Sequence, residues 1–304
     1  MGNDVLAKGG AKRAALVIGN SAYSASPLVN PVNDAKDVAK KLESLGFEVI
    51  QGLDLNLSDM ANRLKKFGDT ISPDLEVALF YFAGHAVQVD GENYLVPTGE
   101  TIRSIEDLTR MSIPLNMILS EMNRSDVLTK IVILDACRNN PFAGISTYQS
   151  NGRSIEVDRG LKIVRSGLAA VRMAKQGTYL AYATDPGKVA SDGDGRNGLY
   201  TSSLLEHIDM QSVSAETMFK LVRASVINNS QGQQIPWEHS SLTKDFYFNN
   251  PVSMILDNVE RLIGEQRYGI AYRLAKEARS KALIEKDQKR SRLLIERIRN
   301  DLGN

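Results

Sequence analysis

Two side chains capable of nucleophilic chemistry close two of the most apolar short segments of this sequence. Leu79-Phe-Tyr-Phe-Ala-Gly-His85 runs into a histidine, and Ile131-Val-Ile-Leu-Asp-Ala-Cys137 runs into the only cysteine. Apolar runs of this length, rich in Val, Ile and aromatic residues, predict strands buried on both faces, and such strands belong to parallel sheets. Ligands of open parallel sheets bind beyond the carboxyl ends of the strands, which is where both residues stand. A cysteine and a histidine brought together there form a nucleophile with its acid–base partner. A solitary buried cysteine is more often a small hydrophobe. Here Asp135, Arg138 and Asn139 surround it, and cationic neighbours lower a thiol from its usual pKa of about 8.5. The other histidines offer less: His207 lies inside Leu204-Leu-Glu-His-Ile208, a helical pattern, and His239 lies in a late loop without a reactive neighbour.

The elements that must position this pair follow from periodicity and breakers. Residues 13–19 predict a first strand, 33–45 an amphipathic helix closed by Gly46, 47–51 a second strand, and 57–71 a helix stopped by Ser72-Pro73. The His85 strand comes next, then a hairpin over 86–97 turning at Asp90-Gly91-Glu92-Asn93, and a helix over 114–124 that leads into the Cys137 strand. Repeated β-α-β units predict an α/β fold with a mostly parallel sheet and helices on both faces. Residues 139–176 are poor in regular pattern, and structure resumes with a strand over 178–183. After the Asp192-Gly-Asp-Gly195 loop, helices are expected near 198–208 and 214–228. The domain expectation is 1–250 for the sheet domain and 251–304 for a helical extension. That extension is read as a helix pair, weakly similar to a tetratricopeptide repeat across Gly264-Glu-Gln-Arg-Tyr-Gly-Ile-Ala-Tyr-Arg-Leu-Ala275.

Composition narrows the function classes. The formal charge of +1 over 304 residues is too small for a chain-wide field that would attract nucleic acid or an anionic membrane surface. Residues 251–304 carry 12 Lys/Arg and 8 Asp/Glu, a local +4, against 25 and 28, or −3, elsewhere. A partner-docking or self-association helix pair and a solvated face are equally compatible with that mild asymmetry. One cysteine excludes an internal disulfide and fits a reducing, cytoplasmic setting, but it is also what a thiol enzyme needs anywhere, so a secreted or periplasmic setting stays open. No stretch reaches the roughly 18 apolar residues of a membrane helix. The first residues lack a signal-peptide pattern, and Leu6 stands where a myristoylation signal needs Ser or Thr.

Asp135-Ala-Cys-Arg-Asn139, with Gly84-His85 about 50 residues upstream, resembles the caspase-type peptidases of clan CD, family C14, and in particular their bacterial metacaspase and orthocaspase members. Arg13-Ala-Ala-Leu-Val-Ile-Gly-Asn-Ser-Ala-Tyr23, Asn33-Asp-Ala35, Asn93-Tyr-Leu-Val-Pro97, Tyr182-Ala-Thr-Asp-Pro-Gly187, Pro236-Trp237 and Asp245-Phe-Tyr-Phe248 extend the likeness, in the family's order, over residues 12–249. The resemblance implies a large-subunit-like segment (12–142), a cleavable linker (143–176) and a small-subunit-like segment (177–250). It implies protein or peptide substrates, and self-cleavage after basic residues of the 139–176 region, the candidates being Arg153, Arg159, Lys162, Arg165, Arg172 and Lys175.

The resemblance also assigns roles. Cys137 attacks the scissile carbonyl and His85 protonates the departing amine. The oxyanion is held by the amides of Cys137 and of the residue after the histidine. That residue is usually glycine in the family and here is Ala86, which keeps the amide, adds a methyl group and gives up positive φ. Asp34 and Asp135 are implied to line a pocket for a basic side chain, and two carboxylates favour Arg, then Lys. The family's hydroxyl residue before Gly-His is replaced by Ala83. No cofactor or metal is implied: the Ile113-Pro-Leu-Asn-Met117 stretch lacks the acids that serve calcium-activated members, and Asp192-Gly-Asp-Gly195 lacks EF-hand spacing. The competing expectation is a catalytically weak caspase-fold scaffold, in which Ala86 has damaged the oxyanion site and partners are recruited instead.

Overall fold

The apolar strands expected from the sequence form the middle of a single sheet in the computed structural model, which describes residues 12–89, 91–137, 147–150, 153–156, 164–165, 176–185 and 195–303. Along the chain these are β1 (Lys12–Gly19), α1 (Pro31–Ser44), β2 (Phe47–Leu53), α2 (Leu57–Thr70), β3 (Leu75–Val89), β4 (Glu92–Leu95), α3 (Ile105–Arg110), β5 (Ile113–Pro114), α4 (Leu115–Met122) and β6 (Thr129–Cys137). There follow β7 (Thr147–Ser150), β8 (Arg153–Glu156), β9 (Val164–Arg165), β10 (Thr178–Tyr182), α5 (Leu199–His207), α6 (Ala215–Asn229) and β11 (Trp237–Ser240). Helices α7 (Pro251–Gly264), α8 (Tyr268–Lys281) and α9 (Glu285–Gly303) end the chain. The described residues divide into two compact units, 12–208 with 216–245 and 209–215 with 246–303.

In the first unit the strand order is β11-β10-β6-β3-β1-β2. Five of these strands run parallel and β11 closes one edge antiparallel. Successive strand residues alternate between faces, so each strand feeds two cores. One face buries Leu16, Ile18, Phe80, Phe82, Val132, Leu134, Leu180 and Tyr182 against Met60, Leu64 and Phe67 of α2 and Ile118, Leu119 and Met122 of α4. The alternate residues, among them Val17, Leu79, Tyr81, Ile131 and Ile133, are equally buried and face the layer that contains α1 and α5. Helix α1 starts at Pro31, whose fixed φ suits the first helical turn. It ends before Gly46, which takes φ +83° to turn the chain into β2.

Several features depart from the sequence reading. Strand β3 continues without a break past His85 to Val89, so that the hairpin expected over 86–97 is the end of β3 folding back on β4, with Ala86 paired to Leu95 and Val89 to Glu92. The 139–176 region is not patternless: β7 and β8 pair in a separate two-stranded ladder, and β9 pairs antiparallel with the end of β3. Asn151-Gly152 between two alternating segments is a strong two-residue hairpin signal, and it was legible. Helix α3 was missed as well, although the Ser104 hydroxyl caps it by accepting the Asp107 N–H at 3.0 Å.

The helical extension has three helices, not a pair. No glycine or proline marks the break between α8 and α9, where Ala282 turns extended at φ −70° and ψ 111°. Leu256, Val259 and Leu262 of α7, Ala271, Ala275 and Ala278 of α8, and Leu294, Ile295 and Ile298 of α9 form the core of this second unit. Asn250 caps α7 by accepting the Ser253 N–H and donates to the buried carboxylate of Asp287. Among the described residues no helix is long and apolar enough to cross a membrane.

Candidate active site

The parallel register sets His85 level with Cys137, and Ala83 level with Asp135. Neighbouring strands lie about 4.8 Å apart and level positions share a face, so 85 and 135 belong to the face that carries α1 and α5, and the backbone of Cys137 stands level with His85. His85 is buried at 3% exposure and tightly held. Its Nε2 lies 2.7 Å from the Ser26 carbonyl oxygen. A carbonyl can only accept, so Nε2 carries the proton and Nδ1 is the basic nitrogen of the neutral ring. The Tyr23 ring packs against the imidazole with centroids 4.4 Å apart. The Tyr23 hydroxyl accepts the His85 N–H at 2.9 Å and donates to the Val96 carbonyl at 3.0 Å.

Gly84 is what allows this approach: a Cβ there would lie 2.6 Å from the Tyr23 oxygen and 2.9 Å from the Phe82 ring. A cavity of about 70 Å³ borders His85 on the side of Tyr23, Ser26, Val96, Pro97 and Ile102. Tyr23→Phe should therefore strand the buried His85 N–H, at a cost of roughly 1–3 kcal/mol. We expect kcat on a peptide substrate to fall about tenfold with KM little changed, and the melting temperature to drop by several degrees. An unaltered kcat would remove Tyr23 from the positioning of His85.

Ala86 sits differently from what its replacement of glycine implied. Its methyl belongs to the opposite, fully apolar face, in the core that also holds Leu95 and Leu115. It is also absent from the described non-glycine residues with positive φ, which are Asp54, Ser212, Gln231 and Gln266. The backbone of His85 faces Tyr23 and β4, its carbonyl accepting the Val96 N–H at 3.0 Å. Strand alternation therefore directs the Ala86 amide into the seam between β3 and β6, the seam that also receives the amide of Cys137.

The two acidic positions meet on the first turn of α5. Asp34, in the first turn of α1 and 3% exposed, accepts the Gly198 N–H at 2.9 Å. Asp135 accepts the Thr201 hydroxyl at 2.6 Å, and the Thr201 oxygen lies 2.5 Å from the Tyr81 hydroxyl. Burial, then the charges of Asp135 and Asp34, push the Tyr81 phenol well above its ordinary pKa. The residues just before α5 are held to α1 from outside. Arg196 forms a forked pair with Asp37 at 2.8 and 3.0 Å, and Asn33 donates to the Arg196 carbonyl at 3.3 Å. The Arg196 guanidinium holds the Asp37 carboxyl below the usual carboxylate range.

Sequence reasoning missed Tyr23, Ser26, Tyr81, Gly198 and Thr201. Ser26 and Gly198 act through backbone atoms, which leave no side-chain signal, and Tyr81 reads as one more core aromatic. Of the self-cleavage candidates, Arg153 lies in β8 and Arg165 in β9, both in ladders. Arg159, Lys162, Arg172 and Lys175 lie outside the described residues, as does the Asp192-Gly-Asp segment.

A parallel sheet with a histidine and a cysteine level where the pairing of two adjacent strands ends is the frame that a cysteine-type peptidase needs. The caspase-domain model of peptidase family C14 matches residues 12–247, and the chain belongs to that family, that of a cysteine-type peptidase. Caspase-7 of Gallus gallus is 25% identical over 233 residues, covering 71% of this chain and 69% of that protein. The crystal structure of caspase-1 from Spodoptera frugiperda has the same fold, with a TM-score of 0.55 at 13% identity, covering 80% of this chain and 92% of that one.

Proposed function

We propose that this chain is an endopeptidase of the metacaspase and orthocaspase type that cuts after Arg and, less well, after Lys. The observation that carries the reading is the level pairing of His85 and Cys137, with two carboxylates tied to one turn of α5 on the same face. The Cys137 thiol passes its proton to His85 Nδ1 and the sulfur attacks the scissile carbonyl. The imidazolium then gives that proton to the departing amine, leaving a thioester on Cys137. Water, deprotonated by the same nitrogen, hydrolyses the thioester and regenerates the thiol. The amides of Ala86 and Cys137, both directed into the β3–β6 seam, receive the oxyanion. Because the Ala86 methyl packs on the far face, the ground for a non-catalytic scaffold weakens.

Asp34 and Asp135 receive the basic side chain. The contacts to Gly198 and Thr201 orient these two carboxylates toward one turn of α5. Hydrolysis of fluorogenic peptides ending in Arg, Lys or Asp tests the reading: Arg first, Lys second and Asp refused is the expected order. Turnover of the Asp peptide alone would overturn it.

Self-processing belongs to the same proposal. Backbone paired in a ladder cannot enter an active site without unzipping, which disfavours Arg153 and Arg165. Incubated wild type is expected to split after one or more of Arg159, Lys162, Arg172 and Lys175. The two pieces should stay together, because β10 pairs in parallel with β6 across the cut. Intact-mass measurement beside Cys137→Ala checks this. An active enzyme that remains one chain would end the processing claim and leave the peptidase claim standing.

A further inference from the structure

Thr201 spends its hydroxyl in an unusual direction for a helical residue. Ser203, two positions on, bonds back to the Leu199 carbonyl at 3.0 Å within α5, whereas the Thr201 hydroxyl crosses to β6 and donates to Asp135 at 2.6 Å. A threonine hydroxyl has one proton. With that proton on Asp135, the oxygen can only accept from Tyr81, 2.5 Å away. The result is a one-way chain, Tyr81 O–H to Thr201 O–H to carboxylate, and both Tyr81 and Thr201 are fully buried. Buried hydroxyls that would be stranded by rotation resist rotating, and a β-branched side chain in a helix has few rotamers to choose from.

We infer that Thr201 is a specificity-determining positioning residue, its hydroxyl backed by Tyr81 to fix the orientation of Asp135 in the pocket for the substrate's basic side chain. The inference rests on the basic-pocket reading above and extends it to residues that touch no substrate. Two carboxylates brought to one site repel each other and would swing apart. Here each is tied to the same helical turn, Asp34 by the Gly198 N–H and Asp135 by the Thr201 hydroxyl. A guanidinium is a planar fork that needs its carboxylates in register, while an ammonium is a point charge on a flexible stem and tolerates misplacement. Loss of the lock should thus cost Arg more than Lys, a signature that general loosening of the fold would not produce.

The test uses Thr201→Val, which keeps shape and removes the hydroxyl, Thr201→Ser, which keeps the hydroxyl, and Tyr81→Phe. Thr201→Val is expected to raise KM for an Arg peptide roughly tenfold, the scale of a lost bond to a charged group, with kcat within about twofold. The preference for Arg over Lys should shrink, Thr201→Ser should restore both, and Tyr81→Phe should shift both in the same direction by a smaller factor. Calorimetric binding of agmatine, the guanidinium probe, to Cys137→Ala protein with and without these changes reads the pocket apart from chemistry, and should weaken by the same factor in Thr201→Val. Unchanged agmatine affinity in Thr201→Val overturns the inference, as does a Thr201→Ser variant as impaired as Thr201→Val. If Thr201→Val does not fold, unchanged affinity in Tyr81→Phe overturns it. Failure of the Cys137→Ala parent itself to bind agmatine would instead remove the basic pocket, and the lock with it.

Discussion

Cys137→Ala and His85→Ala are each expected to lower peptidase turnover by at least about 10⁴-fold, the scale on which nucleophiles and their base partners fail when removed. The two should differ in stability. Position 137 ends a strand beyond its apolar run, so Cys137→Ala should melt like the wild type. His85 is buried, stacked on Tyr23 and bonded to the Ser26 carbonyl, so His85→Ala leaves a hole and should melt several degrees lower. Kinetics with an Arg peptide, beside thermal melting, checks both. Because the residues act as a unit, the double variant should be no slower than the Cys137 variant. Comparable residual rates in either single variant would remove the dyad from the mechanism.

The second large effect concerns the acidic pair. Asp135→Asn keeps the shape and can still accept the Thr201 hydroxyl, and Asp34→Asn can still accept the Gly198 N–H, so each removes a charge while sparing the turn of α5. A charge-assisted contact is worth roughly 1.5–3 kcal/mol, which predicts at least a tenfold fall in kcat/KM for Arg peptides in each variant. The fall should appear in KM more than in kcat, since the contact is made to substrate and transition state alike. If either variant cleaves Arg and Asp peptides with wild-type preference, the pocket lies elsewhere.

Much of the sheet was legible because its central strands announce themselves. β3 and β6 are apolar on both faces, and the turn and helix signals between them leave little choice but parallel crossover connections. The meeting of His85 with Cys137 followed from where those runs end, and the register sets them level. What escaped was of a different physical kind. Ser26 contributes a carbonyl and Gly198 an N–H, atoms present in every residue. Tyr23 and Thr201 act only because Gly84 has no side chain and because α5 starts where it does, and both are tertiary facts. From sequence the Ala86 substitution adds a methyl group and gives up positive φ, with nothing to say which way the methyl points. The pleat places its methyl on the opposite face from His85, where an alanine packs well.

The most direct test of the central claim is an unbiased one: digest a broad mixture of denatured protein-derived peptides with wild type and with Cys137→Ala, and read the new termini by mass spectrometry. Cuts confined to bonds following Arg and Lys, with Arg in excess and none in the Cys137→Ala digest, are the predicted result. Cuts following Asp or Glu, or the same cuts in both digests, would contradict it.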